Sequence, residues 1–223
     1  MAINHSRRIA VVGSGLIGSA LAGHLILAGN TVTIGARRPE AFTPPDYQNE
    51  DIDYHVCTVD AAIDGADVTI LAIPNAAVAG FADQYRDRLA GVTIIDPSNP
   101  FLWHEGGVMT IKDLGGETSA TVTAKLFPRS SVARAFSHQL AETLWLRGRR
   151  EPGTWAIGYA ADTSDTANVT ADIITQTGFV PVPVGTLAQS ASIDPGGVLF
   201  PGLLGVISPQ GMKTALDKRP FIL

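Results

Sequence analysis

The sequence predicts an α/β protein with a doubly wound, mostly parallel sheet, and the observations that predict it lie in residues 8–38. An apolar run over residues 8–12 is followed by three glycines in the G-x-G-x-x-G spacing, and apolar residues then recur at helical spacing. Gly29 and Asn30 are typical of a helix C-cap, and the β-branched run 31–34 indicates a second strand. A strand, a glycine turn, a helix and a strand in this order predict a Rossmann-like unit.

Each glycine of the motif has its own expected role in binding a dinucleotide. Gly13 makes the tight turn, Gly15 lets a pyrophosphate approach the main chain, and Gly18 lets the helix pack closely on the strand. The helix N-terminus offers N–H groups and a favourable dipole to the phosphates. A glycine-rich turn that binds nothing is the alternative interpretation.

The residues after the second strand indicate which dinucleotide binds. A chain built for NAD usually carries Asp or Glu there, to hold the ribose 2′-hydroxyl. Here the stretch reads Gly35-Ala36-Arg37-Arg38, and no carboxylate comes before Glu40. Because a guanidinium presents a planar fork of donors to phosphate oxygens, Arg37 and Arg38, next to Ala36, favour the 2′-phosphate of NADP(H). A solvated basic turn is the alternative.

The composition excludes several classes of partner. The chain has 223 residues, 45% of them hydrophobic, which is enough for a substantial core. A formal charge of -5 without a basic stripe argues against a nucleic-acid partner. Cys57 is the single cysteine, as expected of a protein in a reducing cytoplasm. The start of the chain has no apolar leader and the apolar run 198–207 is short and interrupted, so no membrane association is expected.

Apolar runs, helical spacing and turn residues predict the remaining elements. These are a loop at 39–52, strands at 54–58, 68–73, 92–95, 131–136 and 154–159, helices at 59–65, 76–89 and 118–127, and a mobile loop at 101–117. We assign residues 1–185 to an NADP-binding domain of the Rossmann type and residues 186–223 to a short C-terminal segment.

Three stretches are expected to line one cleft. Ligands of open α/β sheets bind outside the carboxyl ends of the strands. The glycine loop 13–18, the strand end Ile73-Pro74-Asn75 and the rigid stretch 96–100 all follow predicted parallel strands. The cofactor is therefore expected at this edge of the sheet.

Four blocks of the sequence together resemble a known family. They are GSGLIGSALAGHLILAGNTVTIGARRPE, DVTILAIP, IIDPSNPF and TSATVTAKLFPRSSVARAF. Their order and spacing resemble the NADP-dependent oxidoreductases that reduce the deazaflavin coenzyme F420, and the cytosolic reductase domain of the six-transmembrane metalloreductases is a similar relative. The resemblance extends over most of residues 8–187.

This resemblance implies the binding residues and the reaction. It implies that Ser14, Leu16 and Ile17 contact the pyrophosphate, that Arg37 and Arg38 hold the 2′-phosphate, and that Ile73, Pro74, Asn99, Ala135 and Phe136 lie near the nicotinamide. It also implies hydride transfer between NADPH and coenzyme F420 as co-substrate. In the family the C-terminal region helps to form the second-substrate pocket and the dimer contact.

The identity of the hydride acceptor is left open by the side chains. Two stacked rings exchange a hydride through positioning, whereas a carbonyl or imine substrate also needs a proton donor. His138, at a strand end, is the best candidate for a catalytic acid, and a hydrogen-bonded structural histidine is the alternative. Glu142 follows it at i, i+4 spacing, but no further ligand joins the two, so no metal site is predicted.

Three functions therefore stand beside one another. The first is an NADPH-dependent reductase of coenzyme F420. The second is an NADPH-dependent reductase of a flavin, ferric chelate, imine or carbonyl compound, and the third is a non-catalytic NADP-binding sensor or assembly partner. We also expect a homodimer, because the apolar residues after Gly185 are too few for a core of their own and should pack on the first domain or on a second subunit.

Overall fold

The computed structural model describes residues 7–46, 51–200 and 205–217, and these residues form ten strands and seven α-helices. The strands are β1 (Arg8–Val12), β2 (Thr31–Ala36), β3 (His55–Thr58), β4 (Val68–Leu71), β5 (Thr93–Asp96), β6 (Phe101–Trp103), β7 (Met109–Ile111), β8 (Ser131–Ala135), β9 (Ala156–Ala161) and β10 (Val180–Gly185). The helices are α1 (Leu16–Leu27), α2 (Val59–Ala62), α3 (Asn75–Tyr85), α4 (Ser119–Leu126), α5 (Ala141–Arg147), α6 (Ser164–Gln176) and α7 (Pro209–Asp217).

Eight of these strands form one sheet in the order β10-β9-β8-β5-β4-β1-β2-β3. All neighbouring strands are parallel except β8 and β9, so β9 and β10 run against the other six. The predicted doubly wound α/β fold is confirmed. The strands and helices expected from the sequence are present, with their ends shifted by a few residues.

Both faces of the sheet are covered by helices. In β1, Ile9 and Val11 point into a core formed with α1, α5 and α6, while Ala10 and Val12 point into a second core formed with α3 and α4. All four side chains are buried. This two-sided burial explains why the strand reads as an uninterrupted apolar run instead of alternating with polar residues.

The prediction of a mobile loop at 101–117 is wrong for its first part. Strands β6 and β7 pair there as an antiparallel hairpin, with Phe101 opposite Ile111 and Trp103 opposite Met109. The turn between them contains Gly106 and Gly107, both with positive φ. Strands of three residues are too short to give a periodic signal, which is why the sequence did not indicate them. Trp103 is 73% exposed, so the hairpin carries apolar side chains into solvent.

The reversal of β9 determines the path of the last part of the chain. Since β10 runs parallel to β9, it ends at the edge of the sheet opposite the carboxyl ends of the other strands. A 3-10 segment, Leu187–Ile193, then returns the chain to the carboxyl edge, where the Ile193 carbonyl accepts a hydrogen bond from the Ser137 hydroxyl at 2.8 Å. Residues 194–200 therefore lie beside the predicted cleft.

Helix α7 completes the packing beyond β10. Its Met212 is buried with Ala156, Val182, Ile193 and Leu199 in a third apolar cluster. Leu203 and Leu204, two of the residues expected to pack in the C-terminal segment, lie outside the described residues. Within the described parts of the chain no helix has the length and apolar character needed to span a membrane.

Candidate functional site: a dinucleotide cleft at the carboxyl edge

The three glycines of the 13–18 loop differ in what surrounds them. A Cβ at Gly13 would lie 2.2 Å from the Ala72 carbonyl oxygen, and φ is +111° there. A Cβ at Gly18 would lie 2.0 Å from the Gly13 carbonyl oxygen. A Cβ at Gly15, the N-cap of α1, would meet nothing within 4 Å. Gly13 and Gly18 thus serve packing, while Gly15 leaves free space in front of a helix N-terminus, where a pyrophosphate fits.

The end of β2 lies against the glycine loop. The Gly13 N–H donates to the Gly35 carbonyl at 2.9 Å, which fixes the loop beside Ala36. Ala36 is buried, and Arg37 and Arg38 are exposed. Neither guanidinium has a hydrogen bond or ion pair with the residues that the structure describes, so both are free to meet an anion.

A cavity of about 520 Å³ joins these parts, which we call the adenosine cavity. Of the residues predicted to bind cofactor, those that line it are Gly13, Ser14, Gly15, Ala36, Arg37, Ile73 and Pro74. The sequence analysis missed the residues that form its remaining walls, which are Val12, Gly35, Val59, Ala72, Ala77, Gly80, Phe81, Gln84 and Tyr85. Several of these lie on α3, where helical spacing indicated only a core-facing side. Leu16, Ile17, Gly18 and Arg38 do not line the cavity, although Leu16 follows Gly15 and Arg38 follows Arg37.

A second group of predicted residues is linked by hydrogen bonds along the carboxyl ends of β4, β5 and β8. The Asn75 amide donates to the Ser98 hydroxyl at 3.2 Å. The Asn99 amide donates to the Ser137 carbonyl at 2.7 Å and accepts from Arg134 at 2.9 Å. The structure thus connects Asn75 and Asn99 through a loop, residues 96–100, that the sequence placed at this edge.

Ala135 and Phe136 have a supporting position in the structure. Both side chains are buried in the core, and the position near the nicotinamide that the resemblance implies for these residues stays a prediction. Phe136 has φ of +64°, the only positive value among the described residues other than glycine. A bulky residue in this conformation is strained, and such strain is concentrated at functional turns. Phe136 turns the chain from β8 toward Ser137 at the edge.

His138 has a structural environment. Its Nε2 accepts a hydrogen bond from the Gly158 N–H at 3.3 Å, and its side chain is buried. Burial, followed by the nearby Arg134 charge, lowers the pKa of His138 from 6.5 to about 3. A neutral imidazole whose Nε2 already accepts a bond from the main chain has no proton to give at that atom. The contacts therefore favour the structural alternative over the catalytic role expected for His138.

A second, larger space has Pro100, the last residue of loop 96–100, in its wall, and we call it the outer cavity. Its volume is about 720 Å³. Its lining comes from Pro100, from β7 and the stretch up to Thr118, and from residues 191–198 of the returning chain. Asp194 in its wall also bonds to Arg134, which in turn bonds to Asn99. Loop 96–100 therefore lines the outer cavity through Pro100 and contacts, through the hydrogen bond between Asn75 and Ser98, the residue that follows Pro74 of the adenosine cavity.

No cluster of three or more metal-binding side chains occurs among the residues described. The chemistry available at this edge is that of main-chain N–H groups, amides, hydroxyls and guanidinium groups. Such groups bind and orient phosphates and rings.

Comparison with known proteins assigns the dinucleotide half. Residues 8–100 match the family model described as NADP oxidoreductase, coenzyme F420-dependent. Over these residues the chain is similar to that family. The resemblance noted from the sequence is confirmed, and so is the prediction of an NADP-dependent oxidoreductase, since this is how the family is described. No curated protein matches the chain significantly.

Solved structures extend the similarity over the whole fold. A Sinorhizobium meliloti protein described only as hypothetical has 27% identity and a TM-score of 0.76, over 91% of this chain and 95% of that one. An Arthrobacter protein provisionally described as an F420-dependent NADP reductase has 24% identity and a TM-score of 0.70, over 81% and 86%. A reductive aminase of Aspergillus terreus, solved with NADPH, shares the fold at 21% identity and a TM-score of 0.58, over 85% and 58%.

Proposed function

We propose that this protein transfers a hydride between NADPH and the deazaflavin coenzyme F420. The observation that carries the proposal is a pair of cavities, one bordered by the glycine loop and Arg37 and the other by Pro100 and Asp194, with loop 96–100 bonded to Asn75 beside the first and lining the second. The family's description and the provisional description of the Arthrobacter relative support the same reaction.

The residues of the adenosine cavity fit NADPH. The free space at Gly15 in front of α1 accommodates a pyrophosphate, and Arg37 with Arg38 offers donors to the 2′-phosphate. Ile73 and Pro74 continue the wall toward Asn75 and loop 96–100. When bound, NADPH supplies the hydride, and the protein's part is to hold the two rings face to face and to exclude water between them.

The absence of an acid at His138 favours a ring acceptor over a carbonyl or imine. One hydride and one proton reduce the deazaflavin, and the proton can come from solvent because the acceptor nitrogen lies at the edge of the ring. A carbonyl or imine instead needs a proton at the reacting group during the transfer. Burial lowers the pKa of His138 to about 3, so it is a poor source of that proton.

The test mixes the purified protein with NADPH and oxidised coenzyme F420 and follows the visible absorbance of the deazaflavin. We expect bleaching that needs both the protein and NADPH. The same assay is run with FMN, a ferric chelate, a cyclic imine and a ketone. Reduction of one of these in place of F420 would identify a reductase of another acceptor, and tight NADPH binding without any oxidation would indicate a sensor.

A further inference from the structure

Arg134 in β8 is a fully buried charged side chain, and all three of its side-chain nitrogens are hydrogen-bonded. It is 0% exposed. Its Nε donates to Asp194 at 2.8 Å, Nη2 donates to the Asn99 amide oxygen at 2.9 Å, and Nη1 donates to the Ser98 carbonyl. The Asp96 carboxylate lies 3.7 Å from Nη1. No element of the sequence analysis assigned a role to this arginine.

These bonds fix loop 96–100 in one arrangement. Because a guanidinium can only donate, the Asn99 amide must turn its oxygen toward Arg134 and its nitrogen toward the Ser137 carbonyl. The Asp96 carboxylate accepts from the Ser98 N–H at 2.8 Å and from the Thr123 hydroxyl at 2.6 Å. Loop 96–100 is thus held from its main chain and its side chains.

Asp194 connects this network to the outer cavity. One carboxylate oxygen accepts from Arg134, and the other accepts from the Ser119 N–H in the first turn of α4 at 3.0 Å. Asp194 also lines the outer cavity. The Asp194 carboxylate therefore lines the proposed acceptor space and also bonds to Arg134, the cation that fixes loop 96–100.

Stability alone does not account for such a network. Removing two carboxylates and a guanidinium from water is costly, and well-packed apolar residues often replace a buried ion pair without loss. A buried network with every donor satisfied instead restricts the structure to one geometry. The part of the molecule restricted here is loop 96–100, which bonds to Asn75 beside Pro74 of the adenosine cavity.

We propose that Arg134 is a positioning residue. It orders the nicotinamide half of bound NADPH by fixing loop 96–100, and its bond to Asp194 links it to the outer cavity. The proposal rests on the proposed NADPH binding. It assigns no contact between Arg134 and the cofactor, because the guanidinium is enclosed by the network.

The experiment separates the two halves of the cofactor. Arg134→Lys keeps the charge but loses the fork of donors, and Asp194→Asn removes the anchoring charge while Arg134 remains. Matched controls are Arg129→Lys and Asp87→Asn, which alter an exposed ion pair away from the cleft. Calorimetry with 2′,5′-ADP measures the adenosine half, and the affinity, fluorescence intensity and lifetime of bound NADPH report the nicotinamide half.

We expect both test variants to bind 2′,5′-ADP within about twofold of wild type and NADPH about tenfold more weakly, since one or two charge-assisted bonds are lost. The lifetime of bound NADPH should fall in both, and the controls should match wild type. If Arg134→Lys does not fold, Asp194→Asn alone decides. An unchanged ratio of NADPH to 2′,5′-ADP affinity would overturn the positioning role, whereas a wild-type protein that binds neither ligand would overturn the proposed function instead.

Discussion

At the scale of single residues, the glycines of one motif should respond differently to the same substitution. Gly18→Ala places a Cβ against the Gly13 carbonyl, so it should lower the thermal midpoint with or without ligand. Gly15→Ala meets no protein atom, so the free protein should keep its midpoint within about one degree. The added methyl group should nevertheless weaken NADPH binding about tenfold or more, because it occupies the space of the pyrophosphate.

The two variants serve as controls for each other in thermal unfolding and calorimetry. If Gly15→Ala binds NADPH as tightly as wild type, the pyrophosphate does not pass over Gly15. If Gly18→Ala is as stable as wild type, the close approach of α1 to the glycine loop is not a constraint on packing.

A second residue-scale prediction concerns the choice of cofactor. The arginines are exposed and a charge-assisted hydrogen bond contributes about 1.5 to 3 kcal/mol, so Arg37→Ala or Arg38→Ala should weaken NADPH binding about ten- to a hundredfold. NADH lacks the 2′-phosphate, so its affinity should change only a fewfold. The loss should shrink at high salt because the site is open to solvent. Equal NADPH and NADH affinities in wild type would contradict the assignment.

How much of the site could be read from the sequence depends on whether the signal is local. The roles of Gly13 and Gly18 and the exposed arginine pair follow from residues that are neighbours in the chain. Arg134 was missed because its partners are distant in sequence, with Asn99 35 residues before it and Asp194 60 residues after it. An arginine in a strand carries no local pattern that marks it as buried. The hydrogen bond of His138 has no local signal either, since its partner lies on β9.

At the scale of elements, β10 should resist pairing with another strand. The Val180 N–H donates toward β9, to the Trp155 carbonyl. Because successive main-chain nitrogens of a strand point to opposite sides, those of Pro181 and Pro183 point away from the sheet, and proline has no N–H to donate there. Replacing both prolines with Thr restores two outward donors at the end of the sheet. We expect the double variant to associate further as its concentration rises, since an unpaired edge invites strand addition.

Light scattering across a concentration series checks this expectation. Pro152→Thr, in an exposed turn, is the matched control and should behave as wild type. A double variant with the wild-type mass at every concentration would mean that something other than proline protects this edge.

The elements that the sequence predicted are those buried on two faces or marked by turn residues. Strands β1, β4 and β5 have long apolar runs because helices cover both sides of them. The hairpin β6–β7 was missed because it has no such cover, so its short apolar stretches look like a loop. The topology beyond β8 was also out of reach, since nothing local in residues 156–161 specifies that β9 runs antiparallel to β8.

At the scale of the whole molecule, two buried histidines should make stability depend on pH. Burial is the main cause that lowers the pKa of His24 to about 4 and that of His138 to about 3, from 6.5. The unfolded chain therefore takes up protons below about pH 6.5 that the folded chain does not, so stability is complete above that pH and is lost as the pH falls. The loss between about pH 7 and pH 5 should be about 2 kcal/mol per histidine.

Urea unfolding at the two pH values measures this loss. His24→Gln and His138→Gln keep a hydrogen-bonding group toward Leu144 and Gly158, and each should reduce the difference between the two pH values. His55→Gln, at an exposed position, should leave it unchanged. If neither buried variant reduces the difference, other groups dominate the pH dependence.

The molecule as a whole is also expected to form a homodimer. Exposed apolar side chains occur together on the hairpin, at Leu102, Trp103, Met109 and Ile111, and Val198 is exposed in the C-terminal segment. We predict a mass twice that of one chain by light scattering at micromolar concentration, and partial dissociation of Trp103→Ser. A monomer at all concentrations would contradict this expectation.

The return of the chain across the sheet after β10 has a consequence for synthesis. Residues 8–100 leave the ribosome early, and they include all the residues that line the adenosine cavity. Asp194 is translated 60 residues after Arg134, so the hydrogen bond between the two can form only late in synthesis. We expect a nascent chain stalled soon after Gly185 to retain 2′,5′-ADP but to leave the nicotinamide disordered. The protein should thus become able to bind the cofactor in two stages. The adenosine half binds first, and the reactive nicotinamide half is ordered only when the C-terminal segment has emerged.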